Sequence, residues 1–135
     1  MAAPALRSGE SVAEAIAAVR KAGAAAVLFN CSQPEVMGPA IDVARSVLGE
    51  AGLPIGIYAN AFPEKTGEAA ANEGLSDLRE DIGPQRYRDF GRDWRRRGAR
   101  IIGGCCGIGP DAICALHTEF GADWHLLLAG APGQC

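Results

Sequence analysis

The sequence predicts an α/β fold of about three parallel strands with flanking helices, and three observations carry that expectation. Short, mainly apolar runs at 24–30, 54–59 and 100–103 show no polar alternation, the pattern of a parallel strand covered on both faces. Stretches with apolar residues at helical intervals lie around them, giving the order helix, strand, helix, strand, helix, strand, helix. Each strand also ends on side chains with chemistry of their own: Asn30 and Cys31, then Asn60, then Cys105 and Cys106. Parallel strands joined by right-handed crossovers line up their C-termini along one edge of the sheet. Residues far apart in sequence therefore converge on the edge where α/β proteins carry their sites.

At 135 residues the chain is one domain's worth of sequence, long enough for a modest core. A formal charge of -3 and a pI near 5.3 argue against nucleic acid or an anionic membrane surface as the main partner, since either would select a basic face. The longest apolar run free of charge and proline, Gly23 to Ser32, is about ten residues, too short to span a bilayer. Met1 to Leu6 show no basic region followed by a long apolar segment, so no secretion signal is expected and a cytoplasmic location is the default. The five cysteines are odd in number and not spread like a disulfide framework, so they read as free thiols or metal ligands in a reducing compartment. Residues 1–7 read as a flexible leader, 8–120 as the domain, and 121–135 as a tail with no assigned structure.

In chain order, Ser11 and Glu14 have the spacing of a capping box, and Val12, Ile16 and Val19 follow at helical intervals until Lys21 and Gly23. Ala24 to Asn30 is the first strand. Ser32 to Glu35 offers a second cap, and Gly38 with Pro39 restarts a helix that carries Ile41, Val43, Ala44 and Val47 to Gly52. Pro54 to Ala59 is the second strand. Residues 61–83 are polar and aperiodic and read as a long loop, with a helical turn expected around Glu68 to Asn72; loops of this size are usually functional or mobile. Gly83 and Pro84 open a helix in which Tyr87, Phe90 and Trp94 share one face, while Arg95, Arg96 and Arg97 crowd its last turn as solvated surface. Arg100 to Gly103 is the third strand. Gly109 then caps a final helix that Pro110 opens, with Ile108 placed to staple onto Ile113.

The stretch from Gly103 to Gly107 carries the most specific chemistry. A disulfide between neighbouring cysteines strains the backbone, whereas two adjacent thiolates suit a soft metal, and the glycines let both sulfurs point one way. With Cys31 at the end of a neighbouring strand, the thiols of Cys31, Cys105 and Cys106 are placed to hold a zinc ion with one coordination position open. Structural zinc sites close all four positions, usually with Cys-x-x-Cys pairs that this sequence lacks, so three ligands suggest a catalytic site. A sulfur-rich shell binds a further sulfur readily and removes a thiol's proton near neutral pH; the expected chemistry is activation of a thiol substrate as a nucleophile. The competing reading, cysteines as small buried hydrophobes, is the stronger one for Cys114 on the last helix. Cys135 is terminal and reads as solvated, and His117 and His125 lack partner motifs and read as surface or satisfied histidines.

Ile-Ile-Gly-Gly-Cys-Cys-Gly-Ile-Gly-Pro-Asp-Ala-Ile at 101–113 resembles the C-terminal signature of the homocysteine S-methyltransferase family, whose two cysteines are zinc ligands. Leu-Phe-Asn-Cys-Ser-Gln-Pro-Glu at 28–35 resembles the family's earlier Asn-Cys segment, and Ile-Tyr-Ala-Asn at 57–60 its intervening strand end. The resemblance spans roughly residues 8 to 120, in the family's order, and its double-cysteine motif is specific. It implies a (β/α)8 TIM-type barrel in which zinc binds the sulfur of homocysteine and a methyl group, taken from a donor that carries it on positively charged sulfur or nitrogen, is transferred to make methionine. Carried over by position, Cys31, Cys105 and Cys106 are the zinc ligands and Asn60 borders the substrate pocket. Nothing in the chain resembles the first five strands of that barrel or the groups there that hold the amino acid part of homocysteine. The resemblance therefore implies a partial barrel, truncated or half of a split enzyme, with two unpaired edges and an unfilled inner face. Such a chain is expected to self-associate or to pair with an N-terminal half-barrel chain; the alternative is a non-catalytic zinc-binding or partner domain.

Overall fold

The computed structural model describes residues 4–49, 52–63 and 77–121. Among these the elements are α1 (Val12–Lys21), β1 (Val27–Asn30), α2 (Pro34–Leu48), β2 (Ile55–Ala59), α3 (Pro84–Arg97), β3 (Ile101–Gly104) and α4 (Pro110–Phe120). The three strands form one parallel sheet in the order β1-β2-β3, an open sheet of the kind a partial (β/α) barrel contains. The helices pack side by side in chain order, α1 against α2, α2 against α3 and α3 against α4, as crossovers of one hand dictate. No described helix is long and apolar enough to cross a membrane. The turn expected around Glu68 to Asn72 and the tail from 122 onward, with His125 and Cys135, lie outside the described residues.

Local chemistry accounts for most element boundaries. Ser11 caps α1 as its spacing predicts: the Ser11 hydroxyl accepts from the Glu14 N–H at 3.2 Å while the Glu14 carboxylate accepts from the Ser11 N–H at 3.4 Å. β1 begins at Val27 and not at Ala24, because the Ala24 N–H is spent on the Val19 carbonyl at the exit of α1. α2 opens at Pro34 and runs through Pro39, which sits inside the helix instead of restarting it. Met37, Ala40, Ile41 and Ala44 are all buried along that helix, and their packing outweighs the bond that Pro39 withholds. Ser32 caps nothing; Gln33 occupies the cap position without a side-chain bond.

Alternation assigns the strand residues to two faces. Val27, Phe29, Ile55, Ile57, Ala59 and Ile102 join the helices in one core, with Ile57 and Ala59 fully buried. Across that layer Trp94 stacks on Phe90 at 5.9 Å and meets Tyr87 edge-on at 5.5 Å, so the predicted aromatic face of α3 is the core face. The opposite face carries the row Leu28, Gly56 and Ile101 and the row Asn30, Tyr58 and Gly103, with Leu28 44 % exposed. The arginines at the end of α3 lie on the surface but are engaged: Arg97 pairs with Asp42 of α2 and with Asp93, Arg96 with Asp93, and the Arg95 guanidinium lies over the Phe120 ring. Together with Arg92, which pairs with Glu119 of α4, they tie α3 to both neighbouring helices.

Candidate metal centre

The sheet's hydrogen bonding runs on past the ends of its strands, and this stitches the cysteine loops together. Cys31 N–H donates to Tyr58 O and Asn60 N–H to Ser32 O; Cys105 N–H donates to Ala59 O and Ala61 N–H to Cys106 O, each at 2.9 Å. The segment from Tyr58 to Ala61 is thus bonded to both cysteine loops, through Tyr58 and Asn60 to the Cys31 loop and through Ala59 and Ala61 to the Cys105–Cys106 loop. In consequence the three sulfurs of Cys31, Cys105 and Cys106 lie within 4.8 Å of one another, although 74 residues separate Cys31 from Cys105 in the chain (105 minus 31). Cys114, half-buried on α4, and His117, exposed in its last turn, stand outside that cluster.

The two loops reach the site by different backbone means. Cys31 has φ +59°, a left-handed conformation that a side chain with a Cβ adopts at a cost of about 1–3 kcal/mol. The ladder bonds of Cys31 and Ser32 hold it there. The second loop uses glycine instead: Gly107 turns at φ +78°, and at Gly103 a Cβ would come within 2.1 Å of the Tyr58 ring, which lies across that position. From the helix side the Tyr87 hydroxyl donates to the carbonyls of Gly103 at 2.7 Å and Ala59 at 3.3 Å. The sequence shows Tyr87 only as one of three aromatics sharing a face of α3; its hydroxyl anchors the strand ends that carry the site.

Asn60 is 5 % exposed and both ends of its amide are used. Its Nδ2 donates to Cys31 Sγ at 3.7 Å and its Oδ1 accepts from the Phe62 N–H at 3.1 Å. The amide donor holds the Cys31 thiol below the usual range for cysteine. Cys105 is pushed the other way, up to about 11, first by burial and then by the neighbouring sulfurs of Cys31 and Cys106. Burial and the adjacent sulfurs thus disfavour a thiolate at Cys105 unless a cation stands beside it.

The donor set fits zinc. Cys105 Sγ and Cys106 Sγ are 3.8 Å apart and unbonded. Tetrahedral zinc with Zn–S bonds of about 2.3 Å places its sulfurs about 3.8 Å apart. A disulfide, with sulfurs bonded at about 2.05 Å, is a different geometry. Soft thiolates of this kind select zinc over the hard cations that oxygen ligands hold.

Residues 1–120 match the family model described as homocysteine S-methyltransferase. The chain belongs to the homocysteine S-methyltransferase family. It is 31 % identical over 122 residues to homocysteine S-methyltransferase 3 of Zea mays, covering 87 % of this chain and 33 % of that protein. With homocysteine S-methyltransferase 1 of Brassica oleracea var. italica the identity is 30 % over 113 residues, covering 83 % and 32 %. The chain spans about a third of the length of these relatives. The matched part of this family member contains all three strands described above and both cysteine loops.

Proposed function

We propose that this chain carries the zinc centre of a homocysteine S-methyltransferase, with Cys31, Cys105 and Cys106 as protein ligands, homocysteine as the thiol substrate and methionine as the product. The observation that supports it best is the meeting of three sulfurs from two separate loops within 4.8 Å at the C-terminal edge of a parallel sheet. Zinc held by Cys31, Cys105 and Cys106 would supply Lewis acidity that lowers the pKa of a substrate thiol, whose proton would pass to solvent near neutral pH. The chain's own residues do the rest. The ladder bonds around Asn60 fix the two cysteine loops relative to each other, the Asn60 amide orients Cys31 Sγ, and Tyr87 anchors the strand ends beneath. Asn60 is assigned to the substrate side of the site. The deprotonated substrate sulfur attacks a methyl carbon held on a positively charged sulfur or nitrogen. A carbon–sulfur bond forms as the donor's bond to that carbon breaks, the donor leaves neutral, and no covalent enzyme intermediate is required. Free thiols of this kind are kept reduced in the cytoplasm, where we place the protein.

The open face with Leu28 exposed favours a second reading in which the chain supplies the metal site to a partner that covers that face and completes the barrel. Zinc content by elemental analysis of the wild type and of Cys31→Ser, Cys105→Ser and Cys106→Ser tests the centre; a wild type that takes up no zinc rules it out. Methyl transfer to homocysteine is then assayed with the chain alone and with an N-terminal half-barrel chain of the same family. Turnover only in the mixture supports the partner reading, and a zinc-loaded chain with no turnover in either case sinks the enzyme reading for this polypeptide.

A further inference from the structure

Residues 78–81, inside the stretch whose sequence shows no period, touch the first turn of α2 after the Cys31 loop, the segment just beyond Asn60, and the turn after the cysteine pair. The Arg79 N–H donates to Ala61 O at 2.9 Å, one residue beyond Asn60. The Arg79 guanidinium grips Glu35 in the first turn of α2 with two bonds, Nη1 to Oε2 at 3.0 Å and Nη2 to Oε1 at 2.7 Å. It grips Asp81 with two more, Nε to Oδ1 at 2.9 Å and Nη2 to Oδ2 at 2.6 Å. Leu78, 51 % exposed, lies against the turn after the cysteine pair, where a Cβ on Gly107 would come within 2.5 Å of Leu78 Cδ2.

We propose that Arg79 is a positioning residue, and that residues 78–81 act as a clasp that fixes the Cys31 loop relative to the Cys105–Cys106 loop and so presets the three sulfurs for a metal. The inference rests on the zinc reading given above. Cys31 needs such help more than its partners do. It occupies a left-handed conformation, it is exposed, and the helix that follows it starts without a side-chain cap. Glu35 stands four residues beyond Cys31 (35 minus 31), so pulling Glu35 toward Arg79 sets the direction in which the chain leaves the cysteine. Arg79 is itself bonded to Ala61, whose N–H is held by Cys106 O, and Leu78 rests on Gly107. The path from Glu35 to the cysteine pair is therefore continuous. Arginine suits the task because its planar fork meets two carboxylates at defined angles, which lysine does not. Ion pairs this exposed, with Glu35 47 % and Asp81 62 % accessible, add little to overall stability. Their effect is on geometry, and geometry decides how much ordering a metal must impose when it binds.

The test measures zinc and Co2+ affinity of the 135-residue chain by competition with a chromophoric chelator, together with the sulfur-to-cobalt charge-transfer absorption and thermal unfolding of the metal-free protein. Arg79→Met is expected to weaken metal affinity about tenfold or more, the range seen when groups that orient metal ligands are removed. The cobalt absorption should fall from that of three thiolates toward that of two as Cys31 drops out, while metal-free unfolding stays at the wild-type temperature. Arg79→Lys should recover part of the affinity, and Glu35→Gln, a change at an exposed carboxylate, should reproduce the loss without additivity in the double variant. Wild-type affinity and absorption in Arg79→Met and Glu35→Gln would overturn the clasp alone, as would affinity that falls only in step with metal-free stability. Failure of the wild type to take up either metal would remove the zinc reading and the clasp with it.

Discussion

On one face of the sheet Ile57 and Ala59 are fully buried beneath α2, α3 and their neighbours; on the other, contributed by the same strands, Leu28 is 44 % exposed and Asn30 reaches solvent. Hydrophobicity does not separate them, since Leu28 and Ile101 are as apolar as Ile55 and Ile57. What separates them is the hand of the crossovers, which puts every connecting helix on the same side. Cohesion of the chain therefore comes from one face and from the helix layer, while the sulfurs sit at the sheet's C-terminal edge, anchored from the helix side by Tyr87. The lesson is that the site can be well positioned in a sheet whose other face is still open.

Substitutions on the covered side should cost the most. Trp94, 1 % exposed and packed against both Tyr87 and Phe90, is the largest buried side chain among the described residues; Trp94→Ala is expected to destabilise the chain by about 3–5 kcal/mol in denaturant unfolding. Tyr87→Phe keeps the ring and removes only the hydroxyl that serves Gly103 O and Ala59 O, so a loss of about 1–2 kcal/mol is expected, with weaker metal uptake because both cysteine loops lean on those strand ends.

A smaller effect should appear in acid. Arg97 holds the Asp93 carboxyl below its ordinary value of 3.8, and Arg92 holds Glu119 below 4.5. A carboxylate with a depressed folded value contributes stability that is complete above its unfolded value and is lost as pH falls through the folded one. The unfolding temperature should thus stay level from pH 7 to 5 and begin to drop below about pH 4, less steeply in high salt. The smallest effect belongs to the open face: Leu28→Ser should change monomer stability by no more than about 0.5 kcal/mol. If size-exclusion chromatography finds the wild type associated, the same substitution should shift it toward monomer. A cost for Leu28→Ser as large as that for Tyr87→Phe would break the contrast between the two faces.

Much of the fold is legible because its signals are local. The capping box at Ser11, the apolar periodicities, and the Gly109-Pro110 start of α4 each lie within a few residues of the structure they specify. Pro39 inside α2 is not legible in this way, since its tolerance depends on what Met37, Ala40, Ile41 and Ala44 bury against. The left-handed turn at Cys31 gives no local warning either, because no glycine marks it. Arg79 looks like one more charge in a polar loop; its partner Glu35 lies 44 residues away.

The sequence by itself determined the order of the elements, the parallel sheet they must form, and therefore which cysteines stand at strand ends on one edge. The order of elements and the handedness of their crossovers follow from short-range patterns and from the chirality of the chain, so they need no knowledge of distant contacts. Only the tertiary structure decided that the three sulfurs lie within 4.8 Å, that Asn60 spends its amide on Cys31 and Phe62, and that Arg79 reaches Glu35 and Asp81. Those are contacts between segments brought together by burial of the helix-covered face, and the residues that make them carry no mark of their partners in the chain itself.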